Sequence, residues 1–183
     1  DLRGAAARAF ASWQGAARSA ASAEFVAFTS AEPFDDDGRV TLGFLSRPDL
    51  DRVLGATSFL VDRVTGEIVE SDIFFNAAFP WSVAANGESG RFDLESIVLH
   101  ETGHLFGLGH SALGETELGA GGRRVIAAET VMFPIAFSAG TTTARTPRPD
   151  DEAGLSRLYP DAGAEGETGT ISGRVARDGR GVL

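Results

Sequence analysis

His100-Glu101-Thr102-Gly103-His104-Leu105-Phe106-Gly107-Leu108-Gly109-His110 contains every histidine of a 183-residue chain. His100 and His104 are four apart, so on a helix both imidazoles leave the same face and can reach one metal ion. Glu101, one residue on, flanks that face and is placed to meet a metal-bound water rather than the metal. Gly107 lets the chain turn sharply out of the helix, and His110 can then return as a third nitrogen ligand. Three protein ligands with one coordination position left open describe a catalytic zinc site, not a structural one. The chain has no fourth histidine and no cysteine, so that position falls to water. Zinc lowers the pKa of such a water toward ~7 and polarises a carbonyl group. Glu101 is then the candidate general base and acid, taking the water's proton and passing it to a leaving amine. The constellation suits hydrolysis of a peptide bond without a covalent intermediate.

The flanking sequence supports a helix around the first two histidines. Asp93 or a neighbour caps it, and Leu94, Ile97, Val98 and Leu105 form its apolar stripe. Gly107 and Gly109 are expected to stop it. Upstream, residues 2–18 are rich in alanine, with Phe10 and Trp13 three apart. They predict an amphipathic helix that packs both rings on a sheet. Residues 24–29 alternate like a strand, Asp35-Asp36-Asp37-Gly38 reads as a turn, and 39–45 as a further strand. Residues 48–55 read as a loop or short helical turn. Residues 57–61 are apolar enough for a buried strand, and 67–76 form a strand with apolar members on both faces.

Beyond the histidines, residues 112–130 are glycine-rich and read as irregular. Residues 149–158 predict a helix with Asp150, Asp151 and Glu152 at its positive end. The order of elements predicts an α+β (α/β) domain with a twisted mixed sheet, an active-site helix and a C-terminal helix. We expect that domain to cover residues 1–160. Residues 161–170 then form an acidic, small-residue linker, and 171–183 start a truncated β-rich module or tail.

Composition narrows the function. A net charge of −10 with a pI near 4.7 argues against nucleic acid, which calls for basic patches. The absence of cysteine excludes thiol catalysis and disulfide stabilisation, without indicating a compartment. No apolar run is long enough to span a bilayer. The opening Asp1-Leu2-Arg3-Gly4 carries neither Met nor a signal-like segment, as expected of a mature or trimmed fragment.

The pattern HExxHxxGxxH is the extended zinc-binding signature of the metzincin metallopeptidases, and the chain resembles their matrixin branch, which contains the matrix metalloproteinases. Ser111 follows His110 as in the matrixin pattern HExGHxxGxxHS. Val131-Met132-Phe133-Pro134 resembles the Met-turn, which sets a methionine beneath the zinc, and Met132 is the only methionine. The stretch Asp150 to Tyr159 is similar to the closing DDxxGIxxLY helix. Its acidic residues anchor the Met-turn region in relatives, although simple capping by Asp150 and Asp151 accounts for them equally well. Ala9-Phe10 and Trp13 resemble the opening helix. Asp72-Ile73-Phe74-Phe75-Asn76 resembles the edge strand above the cleft, which binds an extended substrate by main-chain pairing. The resemblance covers roughly residues 5–160. It implies a zinc-dependent endopeptidase with one catalytic Zn²⁺, a protein or peptide substrate, no membrane span and an extracellular location; a monomer is expected.

The chain also departs from that pattern. Without a further histidine, the His-rich structural zinc site of vertebrate matrix metalloproteinases cannot be built. The stretch between Ser111 and Val131 is longer than the compact matrixin link and borders the primed side of the cleft. Phe133 stands where many relatives carry tyrosine. Residues 138–146 are expected to set the depth of the pocket for the residue after the cut. Calcium at Asp35, Asp36 and Asp37 stays open, but their spacing is no EF-hand and a solvated turn is the plainer reading. Two rivals remain: another metzincin branch, and a binding or adhesion module that retains zinc with little turnover. Glu101 argues against the second, because a non-catalytic zinc site has no use for a base beside the metal.

Overall fold

A computed structural model describes residues 1–164, 169, 172–174, 176, 177, 180 and 181. The first helix, α1 (Leu2–Gln14), starts where the Asp1 carboxylate accepts from the Gly4 amide at 2.7 Å, and it ends at Gly15. The sequence suggested a helix reaching residue 18. Instead the chain breaks away to form a bridge between Ser19 and Pro160, with the Asp161 amide donating to the Arg18 carbonyl. The buried stripe Ala5, Ala9 and Trp13 does not lie on a sheet as expected. It packs on the helix α2 (Leu94–Leu105), where the Trp13 indole N–H donates to the Leu99 carbonyl at 2.9 Å. Small alanines let the two helix backbones approach closely. Phe10 meets the edge of Phe106.

Residues 24–29 form no strand. Phe25, Val26 and Phe28 are all exposed, so neither face of the segment finds a sheet. The two rings pack instead against each other and beneath the Arg3 guanidinium, 4.7 Å from the Phe25 ring centre. The main sheet has three strands: β1 (Leu42–Leu45), β2 (Gly55–Val61) and β3 (Ile68–Asn76), in the order β1-β3-β2. β3 runs parallel to β1 and antiparallel to β2. β1 is shorter than the predicted 39–45. Residues 71–76 are all buried, as a strand covered on both faces should be.

That central position corrects the expectation that Asp72 to Asn76 lie at the sheet's edge; the edges are β1 and β2. It also corrects the expectation that residues 57–61 are buried, because Phe59, Leu60 and Val61 are exposed. Two buried polar residues on β3 order the loops. Asp72 accepts from the amides of Phe34 and Thr41, at 2.6 and 2.7 Å. Asn76 donates to the carbonyls of Arg47, Leu50 and Val53, holding the loop that leads into β2.

Short strands β4 (Trp81–Ser82) and β5 (Phe92–Asp93) pair in parallel and deliver the chain to α2, whose N-cap is Asp93. The region 112–130 is regular rather than irregular. β6 (Gly114–Gly119) and β7 (Gly122–Ala128) form an antiparallel hairpin, with Gly122 in the left-handed region at φ +100°. Its stem is held by hydrogen bonds from Glu129 N to Leu113 O and from Ser111 N to Met132 O, at 3.0 and 2.9 Å. The last helix, α3 (Pro149–Leu158), opens with proline at its first position, where no amide hydrogen is needed. Mixed strands and helices around one core give the α+β architecture. No helix among the described residues is long and apolar enough to cross a membrane. In the tail, β8 (Ala176–Arg177) pairs with β9 (Arg180–Gly181). Residues 165–168 and 170 of the expected linker, and 171, 175, 178, 179, 182 and 183 of the β-rich module or tail expected after it, lie outside the described residues.

Candidate metal centre

α2 carries His100 and His104 one turn apart and stops at Phe106, after which Gly107 takes φ +91°. A side chain there would be strained, so glycine makes the exit turn. Gly109, also expected to stop the helix, has no such backbone. The turn brings His110 back over the helix, and the three imidazoles stand with ring centres 4.7 to 5.3 Å apart. One ligand-capable atom from each lies within 4.8 Å of the others. His100 Nδ1 is 2.7 Å from the Val131 carbonyl, and His104 Nδ1 is 2.7 Å from the Leu108 carbonyl. A carbonyl only accepts, so each Nδ1 carries the proton and each Nε2 is left bare. The Nε2 atoms of His104 and His110 are 3.1 Å apart, a separation at which two bare nitrogens repel unless a proton or cation lies between them. Burial holds His100 down to about 4, against the Val131 carbonyl, which pulls the other way. Burial also lowers His104. Neutral, oriented nitrogens are the form that binds a divalent metal. Among the described residues no other group of three or more His, Asp or Glu side chains is so placed. At the acidic turn, Asp35 and Asp37 accept from the amides of Glu32 and Arg39.

Glu101 is 5% exposed beside the ligands, and burial pushes its carboxyl up to about 7. Its Oε2 accepts from the Thr57 hydroxyl at 2.8 Å. Sequence reading missed Thr57. The only available signal was a pair of hydroxyls, Thr57 and Ser58, at the start of the strand read at 57–61.

Beneath the histidines, Met132 is 2% exposed and packs against Gly103. A Cβ at Gly103 would overlap Met132 Sδ and lie 3.0 Å from Trp13 Cζ2. The turn at 131–134 is held by Asp151, a buried carboxylate that accepts from Thr130 Oγ1, from Val131 N at 2.9 Å and from Arg148 N at 2.8 Å. Asp151 therefore caps α3 and anchors the turn at once, which settles the choice between those two roles. Asp150 accepts from Ser111 Oγ at 3.0 Å, linking α3 to the residue after the third histidine.

A cleft of about 280 Å³ opens beside His100, Glu101 and His110. Leu54, Ile97, Val131, Phe133, Ile135 and Phe137 give it apolar walls, and Thr141 and Ala144 from the expected depth-setting loop also line it. Phe133 is wedged by Gly114, where a Cβ would come within 2.6 Å of the ring. The loop is clasped from behind by Arg145, a second residue that sequence reading missed. Its guanidinium bonds Asp93 at 2.9 and 2.5 Å and the carbonyls of Ala84 and Ala85 at 2.7 and 3.0 Å. Burial is the largest influence on Asp93 and would raise its pKa. Hydrogen bonds from Arg145 and Ser96 outweigh it and hold the carboxyl below its usual range.

The matrixin family model matches residues 1–118. The match takes in α1, the three-stranded sheet, α2 and all three histidines, and ends within β6. No curated protein matches the chain. Met132 and α3 lie beyond the matched span, but they stand against the same helix and the same histidine turn. The chain belongs to the matrixin family of metallopeptidases.

Proposed function

We propose that the chain is a zinc-dependent endopeptidase in which His100, His104 and His110 hold the metal and Glu101 is the general base and acid. The observation that carries this reading is the convergence of the three imidazoles, two with their outer nitrogens spoken for by carbonyls, beside a buried carboxyl. That donor set fits Zn²⁺. Zinc bound there supplies Lewis acidity, which makes a water acidic near neutral pH and polarises a carbonyl.

The remaining work falls to the chain. Glu101 takes a proton from the attacking water and delivers it to the departing nitrogen. The edge of β2 that β3 leaves unpaired receives an extended peptide by main-chain hydrogen bonding. The apolar cleft takes a substrate side chain, and its walls exclude water around the scissile bond. Phe133 offers no phenolic hydroxyl to its side of the cleft. Met132 supports the ligands from below. In this reading the catalytic unit spans residues 1–160 with 161–170 as a linker, and the protein acts outside the cell, as matrixins generally do.

The test is Glu101→Gln measured beside the parent for zinc content and peptide cleavage. The variant is expected to keep one zinc per chain and to lose activity by about 10²–10⁴-fold. Chelation should abolish cleavage by the parent, and added Zn²⁺ should restore it. Activity retained in the variant, or a zinc content indifferent to His104→Ala, contradicts the reading.

A further inference from the structure

We infer that Thr57 is a positioning residue for the Glu101 carboxyl, an inference that rests on the general-base role proposed above. Residues 55, 57 and 59 share one face of β2, the face turned to α2. At Gly55 a Cβ would lie 3.0 Å from the Phe74 carbonyl, 3.3 Å from Ile97 Cγ2 and 3.4 Å from Glu101 Cγ. The bare glycine therefore lets the strand lie hard against the helix. Two residues on, the Thr57 hydroxyl reaches both Glu101 Oε2, at 2.8 Å, and the Glu101 carbonyl, at 3.0 Å. It is the only side chain among the described residues that bonds this carboxyl.

The last torsion of a glutamate joins an sp³ to an sp² carbon and has a broad, roughly two-fold profile. Left alone, the carboxyl plane therefore swings. A hydroxyl fixed on a strand and bonded to one oxygen removes that freedom, and it leaves the other oxygen to meet the water. The β-branched threonine suits the task, because its own χ1 is restricted in a strand. The same contact couples the base to the strand that receives substrate, so peptide docking and base orientation share one rigid element.

Thr57→Val keeps the shape and removes the hydroxyl, and Thr57→Ser keeps the hydroxyl. Both are compared with the parent and with Glu101→Gln. We expect Thr57→Val to hold one zinc per chain, to keep KM within about twofold and to lose about ten- to fiftyfold in kcat. Thr57→Ser should return to within about threefold of the parent. A peptide hydroxamate, whose acidic proton goes to the same carboxyl, should bind Thr57→Val about tenfold more weakly by calorimetry. A kcat within threefold of the parent in Thr57→Val, while Glu101→Gln is inactive, overturns the role of Thr57 and leaves the base intact. A rise in KM with kcat unchanged would show a substrate contact instead. Loss of zinc in Thr57→Val without rescue by serine would show a merely structural role. Full activity of Glu101→Gln removes the general-base reading itself, and with it this inference.

Discussion

Glu101 shows how much one side chain's surroundings decide. Burial lifts its carboxyl to about 7, whereas a cation at the three nitrogens favours the ionised form and draws the value down. A base must be deprotonated to act, so kcat/KM should fall as pH drops through that pKa. We predict an acid limb with its midpoint between 4.5 and about 7, and a slope of one proton. His100, held at about 4, resists protonation over most of that window, so metal loss should come later. Rate profiles from about pH 4 to 9, with zinc content followed in parallel, check this. A flat profile down to about pH 4.5 with zinc retained contradicts a carboxylate base. The grouping of His100, His104 and Glu101 was legible in the sequence because helix geometry relates them, and that of His110 because Gly107 marks the turn that returns it. Thr57 was not, since its contact joins residues 44 positions apart and depends on how closely β2 approaches α2.

α2 and the turn beneath it meet at a single point without a side chain. Alanine at Gly103 would improve helix propensity by about 1 kcal/mol. Its methyl, however, must displace Met132 Sδ while Trp13, pinned to the Leu99 carbonyl, closes the other side. Overpacking of this kind costs about 1–3 kcal/mol, so Gly103→Ala should melt a few degrees below the parent. An unchanged or raised melting temperature would show that Met132 yields freely.

Among the elements, α2 and α3 were readable because capping and periodicity are local. The rank of a strand within its sheet is not local. Phe59, Leu60 and Val61 look like core residues, but β2 has only one neighbour, while β3, with more polar residues, is covered on both faces. The hairpin was hidden for another reason: its glycines suggested an irregular segment, whereas Gly119 pairs with Gly122 across a two-residue turn at 120 and 121.

At the scale of the molecule, one chain of ion pairs joins three parts that the sequence keeps far apart. Arg8 of α1 bonds Glu95 at 2.5 Å, Arg145 lies 3.8 Å from Glu95, and Arg145 bonds the helix cap Asp93. Asp93 is nearly fully buried, so removing Arg145 leaves a carboxylate with only Ser96 and water to satisfy it. Arg145→Ala should cost about 1–3 kcal/mol, less than a fully buried pair because Arg145 is partly exposed. It should also broaden the range of side chains accepted by the cleft, because the loop carrying Thr141 and Ala144 loses its clasp. Thermal melting and cleavage profiles on a peptide pool measure the two effects. An unaltered profile would place cleft selectivity elsewhere. A different freedom follows from the stem of the β6–β7 hairpin. The chain departs and returns at nearly the same place, fastened on both sides by backbone hydrogen bonds. Beyond that fastening, and beyond the contact of Gly114 with Phe133, the exposed residues 117–124 form a cassette: their number and chemistry can be exchanged at little entropic cost, with the histidines left undisturbed.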